Sequence, residues 1–431
     1  MTWLQRYRLR HLLRFSFWVV PVVWMLAALL ALPATRWLDA QTSWRLFNYS
    51  EEGARQVLNG LSSSMLTFLV FAVSALLLVL QLASSALSPR IIAMTFASRV
   101  PQLTIGVFVF SYVFALGAAA RVESGHVPQL VVFVAILSNL IAIVVFFLFV
   151  YRVATSLRPV AVLLALSRAG QQVIDEIYPH AWNASAPERP QASEALPRPS
   201  RVIEHSGPSG TFLAFGATEL VEAARKADCV IALVPQVGDF LAHGDPLFRI
   251  YPADRELDAA SLAEMVAFGP ERTLEQDPAF AFRVMVDIAS KALSPAINDP
   301  TTAVLALDQL HRDLVHLGRK QLDRGSLEDE QGRLRLVYPT PQWEDFVALA
   351  VSEIRMFGAS SIQVARRLRA MLEHLASSLP EPRIPPLREE LAMLQAAVER
   401  AYPEAKDRER AQIGDLQGIG RSSAPESRPR A

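Results

Sequence analysis

The chain has 431 residues, equal numbers of basic and acidic side chains (42 Lys+Arg, 42 Asp+Glu) and one cysteine, Cys229. The charge balance excludes a globally basic nucleic-acid binder and a protein steered to acidic partners, and a single thiol excludes an intramolecular disulfide. Hydrophobic residues reach 52% and charged residues only 19%, which is more apolar than a soluble chain of two or three domains requires and points to membrane spans.

Four apolar runs lie in the first part of the chain: Phe15–Leu32, Ser64–Leu82, Leu103–Ala119 and Leu130–Val150. A helix crossing a bilayer core of ~30 Å needs about 20 residues. The fourth run meets this alone, and the third carries Gly106 and Gly117. The basic stretch before the first run resembles the start of a signal peptide. Pro21 and Trp24, the lack of a small-residue cleavage site and the three later runs speak against that reading.

Lys and Arg concentrate on the cytoplasmic side of short membrane-flanking segments. Arg6, Arg8, Arg10 and Arg14 precede the first run, Arg90 and Arg99 follow the second, and Arg152, Arg158 and Arg168 follow the fourth. The other side has Arg36, Arg45, Arg55 and Arg121 beside Asp39, Glu51, Glu52 and Glu123, with Trp37 and Trp44 suited to an interface. The expectation is a multi-pass membrane protein, with the bilayer as partner and both termini cytoplasmic.

No apolar run contains a charged residue, which argues against proton-coupled transport. Polar residues do occur there, among them Ser74, Ser111, Ser138 and Asn139. Gln81, Ser84, Ser85 and Ser88 share one helical face. Such a face either bonds helices together in a homo-oligomer or lines a pore, and both readings stay open.

The expected domains are a four-helix transmembrane domain (1–158), a helical connector and linker (159–200), a small β-rich module (201–252), a helical domain (253–403) and a disordered tail (404–431). The linker holds the Pro/Ala/Ser-rich stretch His180–Ser200. In the module, short apolar strands are punctuated by the turns Gly238-Asp239 and Gly244-Asp245. That texture resembles half of a barrel-sandwich module of the biotinyl or lipoyl kind, without a lysine at a hairpin tip. The fold class is therefore an α-helical integral membrane protein with a C-terminal α+β region, a barrel-sandwich-like module plus a helical bundle. Cys229 lies in an apolar run and reads as a buried small hydrophobe. His205 and His243 have no partners at metal-ligand spacing and read as exposed polar residues. Gly358 reads as a left-handed cap ending a helix from Trp343.

The stretch Ser290–Ala303, SKALSPAINDPTTA, joins two helical patterns. Asp277-Pro278 and Asp299-Pro300 are repeated helix-start devices, a capping carboxylate followed by proline at the first helical position. Pro295 ends the first helix. Arg283, Asp287 and Lys291 form a ladder at steps of four, a common solvated ion-pair row. A corner explains Asp299 and Pro300. It does not explain Ser294, Asn298, Thr301 and Thr302 arriving beside them, so a ligand site made of Ser294, Asn298, Asp299, Thr301 and Thr302 is the rival reading.

The segments LQLASSALSPRI, AFRVMVDIASKALSPAINDPTTAVLALDQL, GDFLAHGDPL and IRMFG resemble the signatures of a bacterial family of predicted membrane proteins, domain of unknown function 2254. The resemblance runs from about Leu12 to Leu394 and implies an inner-membrane protein. It carries no activity and no catalytic residues. Three functions follow as expectations: an oligomeric pore or transport protein gated by its cytoplasmic domain, a membrane-anchored sensor or assembly protein, and a membrane-associated enzyme. The third lacks any catalytic motif; the HRDLVH sequence of His311 and His316 does not have the zinc-protease arrangement. No cofactor, metal or nucleic acid is expected.

Overall fold

The computed structural model describes residues 1–16, 18–42, 49–86, 99–122, 127–156, 158–184, 196, 198–252, 257–322 and 325–416. The chain divides into two compact units, Leu9–Ala161 and a second made of Met1–Arg8 with Val162–Ala431.

Among the described residues of the first unit, four helices are long and apolar enough to cross a membrane: α2 (Val19–Thr42), α3 (Glu51–Ala86), α4 (Arg99–Ala119) and α5 (Gln129–Ser156). They run beyond the expected bounds. The apolar part of α2 reaches Gln41 and that of α3 spans Glu51–Gln81, because hydropathy marks only the lipid core while the helices continue past it. Arg36, Asp39, Glu51, Glu52 and Arg55 therefore sit on helix ends. Asp39 is buried and accepts from the Leu130 backbone N–H at 2.8 Å, meeting one of the orphan donors at the start of α5. The basic stretch forms a separate helix, α1 (Trp3–Phe15).

Helix α4 packs against α2, α3 and α5. Its glycines serve this packing. A Cβ at Gly106 would collide with the indole of Trp24, and one at Gly117 would come within 2.9 Å of Leu32. Small residues let membrane helices approach where lipid gives no hydrophobic drive. Phe108, Phe114 and Phe149 fill the interior. Ser111 donates to the Ser138 carbonyl at 3.0 Å, the interhelical bonding expected of such residues. Gln81 and Ser74 are exposed. The side chains of Ser84 and Ser85, and all of Ser88, lie outside the described residues.

The second unit opens with the start of α1 and with α6 (Pro159–Ile177). Helix α6 is more than a connector: Leu163, Leu166, Ser167, Gly170, Val173 and Ile174 are buried. Strands β1 (Arg201–Glu204), β2 (Gly210–Phe215), β3 (Val230–Leu233), β4 (Phe240–Leu241) and β5 (Pro246–Tyr251) come from the expected module, with α7 (Ala217–Lys226) between β2 and β3. They are not closed on themselves. Beyond α8 (Ala259–Ala263), three more strands, β6 (Val266–Gly269), β7 (Ser326–Glu328) and β8 (Leu334–Val337), complete two sheets ordered β1-β5-β3-β8-β7 and β4-β2-β6. The β3–β8 pair is parallel, a pairing that needs a long crossover, here the helices between. Gly238 and Gly244 have φ of +99° and +91°, as the two turns require.

The helical bundle contains α9 (Pro278–Ala292), α10 (Pro300–Gly318), α11 (Trp343–Gly358), α12 (Ile362–Ser378) and α13 (Ile384–Ala401). Phe282, Leu307, Leu314, Trp343 and Phe346 are fully buried within it. The tail departs from expectation. Ala405–Ala411 forms a further helix, α14, because Arg366 on α12 donates to the Arg410 carbonyl at 2.5 Å and Ala411 is buried. Residues 417–431 lie outside the described part.

Gly358 is not a left-handed cap. It is the last residue of α11, and a Cβ there would sit 2.5 Å from Val364 and 3.1 Å from Leu293. Its job is close approach of three helices. Gly358→Ala is expected to lower stability by about 1–3 kcal/mol through overpacking, measured as a fall in Tm of the purified protein; an unchanged Tm would contradict this packing.

Candidate functional site

The α9–α10 corner is built from backbone devices. The Ser294 carbonyl accepts from the N–H groups of Ile297 (3.0 Å) and Asn298 (2.9 Å), and Asp299 N–H returns to the Ala292 carbonyl at 2.8 Å. Asn298 takes the left-handed conformation, φ +49°, which Asn tolerates better than most residues. Asp299 accepts from Thr302 twice, from its N–H at 3.1 Å and its hydroxyl at 2.5 Å. Thr302 is buried, while Asn298 and Thr301 are exposed. The structure thus brings Asp299 and Thr302 together and gives Ser294 and Asn298 roles in the turn; Thr301 faces outward. The companion cap Asp277 accepts from Phe280 N–H at 3.0 Å and pairs with Arg272 at 2.7 Å. Burial pushes its carboxyl above the ordinary range, against the pull of Arg272.

Beyond the corner, α10 carries a dense polar constellation. Asp313 is 0% exposed. One of its oxygens accepts from Ser167 (2.6 Å) and Gln171 (2.8 Å) on α6. The other has no partner among the described residues. Burial raises the Asp313 carboxyl to about 6, opposed by those bonds and by Arg312 and His316. One turn of α6 further on, Asp175 meets His316 at 2.8 Å and Lys320 at 2.5 Å, which lowers its carboxyl. Gly170 makes this seating possible, since a Cβ there would lie 2.7 Å from Ala281 of α9.

On the α12 side, Arg367 donates to Asp308 at 2.7 Å and contacts His311 Nδ1 at 3.0 Å; His311 Nε2 lies 2.8 Å from His374 Nδ1. A guanidinium only donates, so His311 Nδ1 accepts and its Nε2–H donates to His374. Burial, with Arg367 and His374 nearby, drops the His311 pKa to about 4. The neutral ring thus belongs to the fold. Arg283 joins Asp287 and Glu353 of α11, so the expected ladder is an interhelical clamp rather than a solvated row. Among the described residues no cluster of His, Cys, Asp or Glu is arranged to hold a metal. Cys229 is buried and its thiol is pushed up to about 11, chiefly by desolvation. His243 is exposed as expected, but His205 is not: it is buried, with Nε2 2.9 Å from the Pro208 carbonyl.

Two cavities of about 970 and 670 Å³ lie in the second unit, and the corner lines neither. The smaller is walled by Tyr178, Phe215 and Tyr338 with the amides of Gln236, Gln276 and Gln321.

Residues 14–374 match a family described as predicted membrane protein, domain of unknown function 2254. The chain belongs to this family. The match takes in the four apolar helices, both sheets and the corner. An uncharacterized protein of Mycobacterium bovis, Mb1321c, is 27% identical over 380 residues, 84% of this chain and 71% of its own length. The Mycobacterium tuberculosis proteins Rv1290c and MT1328 are similar to the same extent, at 27% and 26% identity over the same shares. No solved structure matches.

For this family member the corner gives a direct test. Asp299→Asn keeps a capping oxygen and is expected to fold as the wild type does, whereas Asp299→Ala should cost about 1 kcal/mol. A stable Asn variant that loses whatever transport or phenotype the wild type has would restore the ligand reading. The two titrating groups on α10 have opposite signs. Asp313, raised in the fold, contributes stability that is full below the ordinary aspartate range and lost as pH rises through about 6. His311, lowered in the fold, contributes stability present above the ordinary histidine value and lost as pH falls through about 4. The Tm difference between Asp313→Asn and wild type should therefore rise between about pH 4 and 6, and that between His311→Gln and wild type should fall over the same window. Parallel profiles would contradict the assignment.

Proposed function

We propose that the protein is a homo-oligomeric inner-membrane protein whose copies meet along α3 and enclose a polar path controlled by the second, cytoplasmic unit. The observation that carries this is a row on α3. Gln56, Gly60, Ser63, Thr67, Val70, Ser74, Leu77 and Gln81 are all exposed and alternate at steps of four and three residues. That is heptad spacing, and the row is mostly small and polar, as at close-packed membrane-helix contacts, where neighbouring positions such as Leu66, Phe71 and Leu78 are apolar. Thr67 turns its hydroxyl to the Ser63 carbonyl at 3.1 Å. The Gln81 amide gains nothing comparable from lipid, which offers no hydrogen bonds, and a second copy supplies the partner.

The orientation rests on two arguments. Met1–Arg8 and Val162–Ala431 fold as one unit, and four crossings between them return the chain to the side it left. The arginine bias makes that side the cytoplasm. A membrane-anchored sensor is the second reading. It is favoured by Phe108, Phe114 and Phe149, which fill the four-helix interior of a single chain, so that any path must run between copies.

Disulfide crosslinking tests the seam against a low background, because the one native cysteine is buried. Ser74→Cys should give crosslinked copies on mild oxidation, and Ser64→Cys, a quarter turn away, should not. Equal crosslinking of both, or of neither, would remove the α3 seam. Purified wild type in planar bilayers is expected to conduct, with a lower conductance for Gln81→Leu; an electrically silent assembly that still crosslinks would leave the sensor.

A further inference from the structure

The larger cavity lies in the second unit, between β1 on one side and α8 and β6 on the other. Among the described residues strand β1 pairs only with β5, and β6 only with β2, so each is the edge of its sheet there. Ile203, Phe212, Phe248 and Val266 form one core beneath both edges. The gap between them is held at its two ends. Arg201 donates to the Leu257 carbonyl at 2.9 Å, and the His205 ring lies 4.1 Å from that of Phe268.

The lining has two chemistries. Leu4 and Phe268 make an apolar side, above the buried Leu247, Phe248 and Val266. Arg8, Arg201 and the loop Ser206–Gly210 bring cationic and neutral donors. The loop is fixed by the bond from His205 Nε2 to the Pro208 carbonyl at 2.9 Å, and Ser209 accepts from His243 N–H at 3.1 Å. Among the described residues the N–H groups of Ser206, Gly207 and Ser209 reach no backbone acceptor. Among the described lining residues, Asp258 is committed to capping α8 through the N–H groups of Ala260 and Ser261.

We infer that this cavity is a binding site for a phosphate ester with an apolar portion, and that its natural occupant is the head region of an anionic phospholipid. Guanidinium groups and backbone N–H donors suit phosphate oxygens. The apolar side formed by Leu4 and Phe268 suits an ester better than a bare anion. Arg8 belongs to a helix that also carries Arg6, Arg10 and Arg14 and ends just before the first span at Val19, the position at which basic residues meet anionic lipid. The inference is independent of whether the assembly conducts.

The test uses the full chain, delipidated in a nonionic detergent and titrated separately with dihexanoyl phosphatidylglycerol, dihexanoyl phosphatidylcholine and glycerol phosphate. Binding is read by Tm and by native mass spectrometry. The expected result is one phosphatidylglycerol per chain, a raised Tm, and binding weakened about tenfold or more in the double variant Arg8→Gln, Arg201→Gln, as loss of charge-assisted contacts implies. Ala263→Phe, which fills the cavity from α8 and leaves both arginines, should also abolish binding; it keeps the test decisive should the double variant fail to fold. Glycerol phosphate binding as tightly as the lipid, with the same sensitivity to both variants, would keep the phosphate-ester site and overturn the lipid as its occupant. Equal binding of phosphatidylcholine, or phosphatidylglycerol binding unchanged in a folded variant, would overturn the site.

Discussion

The rest of the structure depends on the docking of the first eight residues. Trp3, Leu4 and Tyr7 pack against Leu213, Ala214 and Ala267. Leu4 N–H reaches the Glu264 carbonyl at 3.1 Å, and Arg6 pairs with Glu219 at 2.6 Å. Burial and the neighbouring Glu275 carboxylate push the Tyr7 hydroxyl far above its ordinary pKa, so the ring stays neutral in its seat. These contacts join the two ends of the four-helix segment in one folded body. In the proposed topology they require an even number of crossings, and they supply Leu4 and Arg8 to the larger cavity.

A second constraint acts at the other entry to that body. Helix α6 follows α5 closely in sequence, and it is fastened to α10 by hydrogen bonds to Asp313 and by the ion pairs of Asp175. A wholly buried carboxyl whose second oxygen has no partner is a costly thing to keep ionised. Protonation and seating of α6 are therefore linked. The corner serves the same arrangement from below: Asp299 and Thr302 start α10 in the register that turns Asp313 toward α6 and His311 toward α12.

The membrane helices were legible because hydropathy is a strong, local signal. Their true ends were not, since Arg36, Asp39 and Glu51 continue the helices into polar surroundings where composition no longer marks them. The repeated Asp-Pro starts could be read directly, because a cap is a matter of adjacent residues. The polar side of α6 could not: Ser167, Gln171 and Asp175 look like a solvated face, and only tertiary packing shows that they meet α10. The short strands β6 and β7 were hidden for a related reason. Each is too short for a readable pattern: β6 has four residues and is held by β2, far back in the sequence, and β7 has three and pairs with β8 just after it. His205 looked exposed because nothing in its own neighbourhood announces Phe268. The row on α3 was seen in part, through Gln81, but its full extent emerged only when burial separated the outward face from the packed one.

The proposal's central claim is that the amino-terminal octet and the body from Val162 onward, which fold together, lie on the cytoplasmic side. The most direct measurement is labelling of single cysteines by a membrane-impermeant maleimide in sealed spheroplasts, with Cys229 shielded by burial. Gln5→Cys and Lys406→Cys report the two exposed ends of that body. The account predicts that neither reacts until the membrane is permeabilised and that both react afterwards. Labelling of one end but not the other in sealed cells would contradict it.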